Sequence, residues 1–418
     1  MSRPSSLIRG VALLCAAAGH ASAATALSDD AHVSLLTRNF YFDRDYHDSG
    51  AQQSQRQEWA QGFIFKASTG YSPGTLAVGL DVLGLLGVKL DSSPDRTGSE
   101  LLPYDHDDGR APDTFGRLGV TLKLRLSQTE LHIGELLPSL PILRYNDGRL
   151  LPQTFQGGML TSREWDGLTL HAGQIRSFSP RSAADSEDLY VSVGGRTMVD
   201  ARSDRFNYLG AEYALDDDTQ IGAWTAHLED VYRQDYYSLK HAERIGDWLL
   251  GGTLGLFNGR EDGSALAGRL DNQAASLLVS ANRGGHTFYL GLQRMYGDDG
   301  WITIDRSLGS TLANDMFANT FVFAGERSWQ LRYDYDFAAL GIPGLTTLVR
   351  YGHGDHIEAP GVRNGREWER DFDIAYTIQS GTFKSLNLRW RNASVRRDFG
   401  DTDFDENRLI VSYPFDLY

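Results

Sequence analysis

The stretch that decides the fold reads Leu386-Asn387-Leu388-Arg389-Trp390-Arg391. Its apolar residues share one parity, and its asparagine and two arginines share the other. Successive side chains of a β-strand point to opposite faces, so the stretch predicts a strand with one apolar face and one cationic face. A soluble β-sandwich would bury the apolar face. A membrane barrel would turn it to lipid and the arginines into a water-filled lumen.

The N-terminus predicts export from the cytoplasm. Arg3 and Arg9 precede or border a short apolar run, and Ala21-Ser22-Ala23 forms a small-residue cleavage signal. This pattern is typical of a secretory signal peptide, because the apolar run is too short to anchor the chain in a bilayer. We therefore expect a signal peptide over residues 1–23 and one mature domain over residues 24–418.

Charge and cysteine content narrow the classes of function. The 418 residues carry 40 basic and 55 acidic side chains, a formal net charge of -15. The charge becomes about -17 once Arg3 and Arg9 leave with the signal peptide. Such an acidic chain argues against a nucleic-acid partner. Cys15, the single cysteine, lies in the predicted signal. The mature chain is thus expected to form no disulfide and to use no cysteine metal ligand.

Alternation of apolar and polar residues recurs along the whole chain. Further clear examples lie at 117–126, 329–337, 372–379 and 408–415. Each run is close to the roughly 9–11 residues that a tilted membrane strand needs. After the predicted signal there is no apolar run of about 18 residues, so we expect no transmembrane helix.

The connections between these segments are of two kinds. Short polar turns are predicted at 127–129, 216–218, 282–285 and 381–384, and long Gly/Pro/Asp-rich excursions at 92–114, 138–157, 259–272 and 352–367. Short turns on one rim and long loops on the other are typical of an outer-membrane barrel. The length allows about 16 to 20 strands, with an even number expected. The fold class predicted is all-β, a transmembrane antiparallel barrel.

Six segments resemble one porin family. They are 38–46 (RNFYFDRDY), 58–63 (EWAQGF), 81–91 (DVLGLLGVKLD), 146–155 (NDGRLLPQTF), 228–234 (LEDVYRQ) and 405–411 (DENRLIV). Together they run from the start to the end of the mature chain and resemble the OprD (Occ) family of outer-membrane porins. The resemblance implies 18 strands, long extracellular loops, an inward-folded constriction loop near 146–155, and diffusion of small carboxylate-bearing solutes along a ladder of basic residues in the lumen.

Basic residues on the polar parity are the candidate substrate path. Parity places these in the lumen: Arg117, Lys123, Arg125, Arg332, Arg350, Arg389, Arg391 and Arg408. Lipid-facing arginine would cost about 2–4 kcal/mol near the bilayer midplane. Arginines two residues apart on a strand stand about 7 Å apart and could pass a carboxylate along. Each arginine could equally pair with an acidic residue and only hold the wall together.

Other candidate residues keep more than one interpretation. Arg38 and Arg44 share a parity with Phe40 and Phe42, so periodicity leaves their face open; the resemblance implies the lumen for both. In the expected constriction loop, Arg144, Asp147 and Arg149 could contact substrate or anchor the loop, and anchoring is favoured for Asp147. Three acidic residues of the lumen parity could bind a cationic group or balance the ladder: Asp334, Asp336 and Asp373.

Two motifs that suggest other chemistry are weak. The stretch 70–74 matches the G-x-S-x-G elbow of serine hydrolases, but Pro73 lacks the backbone N–H that the oxyanion hole needs. Acidic and histidine residues at 105–108 and at 353–356 lack the spacing of a metal site and are expected in solvated loops. We therefore predict no catalytic residue, no metal and no cofactor.

The sequence thus predicts a passive, substrate-selective porin of a Gram-negative outer membrane, and not an enzyme. Its partners would be small carboxylates, such as amino acids or aromatic acids, and the surrounding outer-membrane lipid. The alternative is an outer-membrane barrel with a closed lumen and a structural, adhesive or enzymatic role. Whether the barrel is a monomer or a homotrimer stays open, because a lipid-facing aliphatic wall looks alike in both.

Overall fold

The computed structural model describes residues 30–307, 311–400 and 402–418. The predicted signal peptide lies outside these residues. The described part contains a short 3-10 helix (Phe337–Leu340) and the following strands: β1 (His32–Tyr46), β2 (Gln55–Ser68), β3 (Leu76–Asp91), β4 (Thr114–Leu126), β5 (Thr129–Leu136), β6 (Ser139–Leu140), β7 (Leu143–Arg144), β8 (Thr154–Trp165), β9 (Leu168–Ser179), β10 (Leu189–Val193), β11 (Arg196–Ser203), β12 (Phe206–Ala214), β13 (Thr219–Leu228), β14 (Tyr232–Ile245), β15 (Trp248–Glu261), β16 (Asp271–Arg283), β17 (His286–Tyr296), β18 (Ile302–Ile304), β19 (Arg327–Asp336), β20 (Leu345–Ala359), β21 (Val362–Thr377), β22 (Asn387–Arg397) and β23 (Phe404–Asp416).

Eighteen of these strands form one antiparallel sheet that closes on itself. The first strand, β1, pairs with β2 on one side and with the last strand, β23, on the other. Closure satisfies the backbone hydrogen bonds of both edges, which a sheet in lipid requires. The other five strands lie in the connecting loops, as the β6–β7 hairpin and the β11–β10–β18 sheet. The predicted 18-stranded barrel is confirmed. Among the described residues, no helix is long and apolar enough to cross a bilayer.

The two faces of β22 are arranged as the alternation predicts. Leu388 and Trp390 point outward and are 44% and 39% exposed. Arg389 and Arg391 point into the barrel, where both contact Asp373 of β21. An outward apolar face and an inward charged face suit lipid outside and water inside.

The two rims of the barrel differ in loop length. One rim carries both chain ends and tight two-residue turns at 127–128, 166–167, 246–247 and 284–285. The other carries the loops 92–113, 137–153, 180–205 and 297–326. Short turns face the periplasm in outer-membrane barrels, so the long-loop rim is extracellular.

One predicted loop is wrong. The segment 352–367 is not an excursion, because β20 and β21 run through it to a tight turn at Pro360-Gly361. Gly352 and Gly354 suggested a loop by composition. In the structure they sit in the strand, where an added Cβ at Gly352 would lie 2.4 Å from the sulfur of Met316. These glycines make room for a loop that packs inside the barrel.

The hydrophobic core lies within the lumen. The wall strands β12 to β15 turn Tyr208, Trp224, Tyr236 and Phe257 inward, and all four are nearly buried. They belong to one apolar cluster with residues of the inward loops, among them Trp301, whose ring meets Phe257 edge-on at 4.5 Å. The loops therefore fill this side of the lumen, and open space remains toward the opposite wall of β1 and β19 to β23.

Candidate substrate path in the lumen

The loop 137–153, between β5 and β8, folds into the barrel and is fixed to β1. Arg38 donates to both carboxylate oxygens of Asp147, at 2.8 and 3.1 Å, and to the carbonyl of Arg149 at 2.7 Å. Leu150 and Leu151 are completely buried in a second apolar cluster with Phe40 and Phe42 of β1. This packing explains why Arg38 and its phenylalanine neighbours share the lumen face.

The loop 297–326, between β17 and β19, crosses the lumen. On one side Asn314 donates to the hydroxyl of Ser328 at 2.8 Å. On the other side Phe317 lies under the guanidinium groups of Arg350 and Arg391, 5.0 and 4.5 Å from its ring centre. Its carbonyl also accepts a hydrogen bond from Arg408 at 2.7 Å. The loop thereby brings an aromatic ring to the arginine-bearing wall.

A cavity of about 580 Å³ lies between these two loops and the wall of β1, β22 and β23. Its charged lining is strongly basic. Seven arginines line it: Arg44, Arg144, Arg149, Arg181, Arg306, Arg391 and Arg408. Among the described residues, the acidic side chains that line it are Asp147 and Asp315. An excess of positive charge in a confined space attracts small anions.

The wall arginines of β19 to β22 are paired with carboxylates on the same face. Asp373 bridges Arg389 and Arg391, with oxygen-to-Nε distances of 3.2 and 2.6 Å. Arg350 and Arg332 each pair with one aspartate: Asp371 at 2.5 Å and Asp334 at 2.6 Å. Acidic residues of the lumen face therefore balance the charge of these wall arginines.

Arg44 and Arg408 share a single buried carboxylate. Both contact Glu406 of β23, which is 1% exposed. Arg44 also stacks over Phe404, with its guanidinium carbon 4.0 Å from the ring centre. One negative charge thus faces two positive charges, so a net positive charge remains beside the cavity.

The basic residues of β4 are held by the protein differently. Arg117 donates to the carbonyls of Pro180 and Ala183 and to the hydroxyl of Thr154. Lys123 pairs with Asp81 at 2.7 Å and is 6% exposed. Arg125 is exposed at the periplasmic end, 4.1 Å from the ring centre of Tyr71.

The predicted constriction residues fall into two groups. Asp147 is tied to the wall by Arg38, and Arg149 is tied to the loop 92–113, where it donates to the carbonyl of Ser99 at 2.8 Å. Arg144, in the β6–β7 hairpin, is exposed and lines the cavity. All three residues line the cavity. Of the three acidic residues predicted on the lumen face, Asp336 does not lie there, because it is the N-terminal cap of the 3-10 helix.

Two arginines that line the cavity, Arg181 and Arg306, were not predicted from the sequence. Arg181 donates to Asn146 at 2.9 Å and contacts Glu100, and Arg306 pairs with Asp305 at 3.2 Å. Both lie in long loops, where no alternation marks which side chains face the pore. Their only signal in the sequence is their basic character.

The crowding of charged groups at the cavity shifts the pKa values of three loop residues. Burial alone would raise the pKa of the Glu100 carboxyl, but Arg181, Arg149 and Arg306 lower it to about 2. Burial, together with Arg408 and Arg181, lowers the pKa of the Arg149 guanidinium well below its ordinary value. Burial raises the pKa of Asp315 to about 6, although Arg350 and Arg144 oppose the shift. A carboxylate entering the cavity would relieve the repulsion among these arginines.

Comparison of sequences places the chain among known porins. Residues 26–417 match the family described as outer membrane porin, OprD family. The porin-like protein GalP of Pseudomonas putida is 51% identical over 93% of both chains. Porin D of Pseudomonas aeruginosa is 34% identical over 93% of this chain and 91% of its own.

Solved structures of similar chains share the fold. Pseudomonas aeruginosa OccK9 (OpdG) is 57% identical, with a TM-score of 0.91 over 94% of this chain and 100% of its own. OpdK of the same organism, solved with vanillate, is 52% identical with a TM-score of 0.87, covering 93% and 100%. OccK2 (OpdF), solved in complex with glucuronate, is 50% identical with a TM-score of 0.85, covering 94% and 100%.

Proposed function

The chain belongs to the OprD family of outer-membrane porins, and from this premise we propose that its arginine-lined cavity selects small carboxylate-bearing solutes for passive diffusion. The family consists of channels and not of enzymes, and its place is the Gram-negative outer membrane. The observation that carries the proposal is the cavity lining, with seven arginines against two aspartates.

The chemistry of arginine supports this choice of substrate. A guanidinium is always charged and offers two parallel N–H donors to a carboxylate. Conduction also requires that each site bind only moderately. The shared acids Asp373 and Glu406 meet this requirement, since each already occupies part of the donors of two arginines.

Similar proteins add a second line of support. OpdK was solved with vanillate and OccK2 with glucuronate, and both compounds are carboxylates. The two compounds differ in ring type and hydroxylation, and the carboxylate is the anionic group that they share. An arginine-lined cavity would bind that group. We propose the same class for this chain, with Arg408, Arg391 and Arg389 as successive contacts along the wall.

The test is reversal potential in a salt gradient, combined with uptake of carboxylates and of neutral analogues by proteoliposomes. Arg391→Gln should lower anion preference and carboxylate uptake several-fold, because a cavity-lining charge is lost. Asp373→Asn should raise anion preference, because Arg389 and Arg391 lose their shared counter-charge. Opposite signs are expected because one substitution removes a positive charge and the other a negative charge from the same pair.

Arg370→Gln is the matched control, since Arg370 points outward from β21 and loses the same charge outside the lumen. It should leave ion selectivity unchanged. Absence of pores in protein shown to be folded by heat-modifiable gel migration would contradict the porin function and favour a closed barrel. Unchanged selectivity in both Arg391→Gln and Asp373→Asn would contradict the role of the arginines in the substrate path, but not the porin function.

A further inference from the structure

The outer wall carries a patch of arginines at the extracellular ends of β17 to β22. Its members are Arg294, Arg327, Arg366, Arg370 and Arg396. Their outward parity is clear in β21, where Glu367 and Glu369, which alternate with Arg366 and Arg370, are buried on the lumen side. We call this set the rim patch. It faces away from the pore, so diffusion through the lumen does not explain it.

The rim patch borders an aromatic belt on the same face. Trp329, Tyr351 and Trp368 stand side by side on β19, β20 and β21, with ring centres 5.7 and 5.9 Å apart. Arg370 lies directly across from Tyr351 in the strand register. Aromatic girdles mark the level of the lipid headgroups in barrels. The rim patch therefore lies at the headgroup layer of the outer leaflet.

Two members of the patch oppose each other without an acid between them. Arg294 of β17 and Arg327 of β19 are direct cross-strand partners, and both are exposed. Like charges in this position destabilise a sheet. Neither has an ion pair within the part of the chain that the structure describes. Asp355, across from Arg327 on β20, pairs with His356 instead.

The next strand repeats this feature. Arg370 donates only to neutral groups, the amide oxygen of Asn392 at 2.9 Å and the hydroxyl of Ser394 at 2.8 Å. The guanidinium group of Arg366 makes no ion pair among the described residues, although its backbone N–H donates to the Asp398 carboxylate at 2.7 Å. Arg396, at the edge of the patch, is paired with Asp405 at 3.0 Å. Four of the five guanidinium groups thus make no ion pair with the described residues, and the nearby acids Asp355 and Asp398 contact His356 and the backbone N–H of Arg366 instead.

Two other outward arginines of this rim do have an acidic partner, whereas Arg260 of β15 is outward and exposed and makes no ion pair among the described residues. Arg176 pairs with Asp204 at 2.8 Å, and Arg205 pairs with Glu229 at 2.8 Å. On the other side of the patch, β1 presents Asp43 to the outside, where Gln55 donates to it. Outward arginines without an ion pair are therefore most numerous in the sector of β17 to β21.

We propose that the rim patch binds the phosphate groups of an anionic glycolipid in the outer leaflet. Guanidinium groups bind phosphate bidentately, and clusters of basic residues beside the membrane recognise anionic headgroups. The apolar wall below the patch would hold the acyl chains of the same molecule. A soluble polyanion would have no such contact, so charge and position together favour lipid.

The test uses the whole barrel in phosphatidylcholine nanodiscs that contain a small fraction of bisphosphorylated lipid A. Native mass spectrometry of the released protein counts the glycolipid molecules retained. The wild type should retain this lipid, and Arg294→Gln combined with Arg327→Gln should lower its apparent affinity on the order of tenfold. Heat-modifiable gel migration checks that the variant is folded.

The control is Arg244→Gln combined with Arg283→Gln, which removes two charges from the periplasmic rim. It should retain lipid A as the wild type does. Fully dephosphorylated lipid A should not be retained. Equal retention by the wild type and the rim variant would overturn the proposal. So would complete displacement of the lipid by inorganic phosphate, or loss of self-association in the rim variant with no change in lipid retention.

Discussion

Asp315 is a partly buried acid among the arginines of the cavity, and its charge should set a pH dependence. Burial raises its pKa to about 6, so the carboxyl is neutral below that pH and ionised above it. Arg350, Arg144 and Asp371 are the charged groups that act on it. We expect anion preference to fall as the pH rises through about 6, because a negative charge then appears at the cavity.

Reversal potentials on both sides of that pH check this prediction. Glu100, with a pKa of about 2, stays ionised throughout and adds no step of its own. Asp315→Asn should hold the high anion preference at every pH, since it mimics the neutral acid. A variant that keeps the wild-type pH dependence would show that another group is responsible.

At single positions, the sequence predicted which side of a strand a side chain faces better than it predicted which residues that side chain contacts. Alternation correctly assigned Arg389 and Arg391 to the lumen, because a period of two is a property of the strand itself. It could not show that Asp373 bridges them, since that contact depends on the register of β21 against β22. Their role in the substrate path remains a proposal.

Among the structural elements, the loop 137–153 raises the question of whether the arginine that binds it, Arg38, anchors the loop or contacts the substrate. Arg38 makes several hydrogen bonds to this loop: those to Asp147 join two charged groups, and the others go to the backbone carbonyls of Arg149 and Leu150. Arg38→Gln should therefore loosen the loop and raise both single-channel conductance and open-channel noise. Asp147→Asn should keep the loop in place, because the bonds to the carbonyls remain, and should shift selectivity toward anions.

Single-channel recording distinguishes the two interpretations of Arg38. A loss of carboxylate flux at unchanged conductance would show that Arg38 is a substrate contact and not an anchor. A noise increase of equal size in Asp147→Asn would show that the ion pair, and not the carbonyl bonds, fixes the loop.

Elements without regular alternation were the ones that the sequence described poorly. Gly352 and Gly354 suggested a loop, but they serve a packing role that exists only when the loop 297–326 lies against β20. The inward course of that loop depends on contacts between residues far apart in the chain, such as Asn314 with Ser328 and Arg408 with Phe317. Composition alone carries no record of such contacts.

At the scale of the whole molecule, charge and apolar surface are segregated inside the barrel. The chain is acidic overall, yet many of its inward-facing arginines lie on the wall of β19 to β23 and β1 and at the cavity. The opposite side of the lumen is a packed apolar cluster. The family resemblance indicated the strand number and an inward loop. It did not indicate that the aromatic residues of β12 to β15 form a core with the loops.

Because of this separation, we expect the docking of the inward loops and the stability of the barrel wall to depend on different residues. The substitution Trp301→Ala tests this expectation. Trp301 is 5% exposed and packs against Phe257, so its removal should cost about 3–5 kcal/mol of loop docking. The strand ladder makes no use of this side chain. We expect unchanged heat-modifiable migration, together with higher channel noise and faster proteolysis within 297–326. Phe288→Ala, on the lipid face at 46% exposure, should change neither noise nor proteolysis. A lowered unfolding temperature of the barrel itself would show that the lumen core supports the wall as well as the loops.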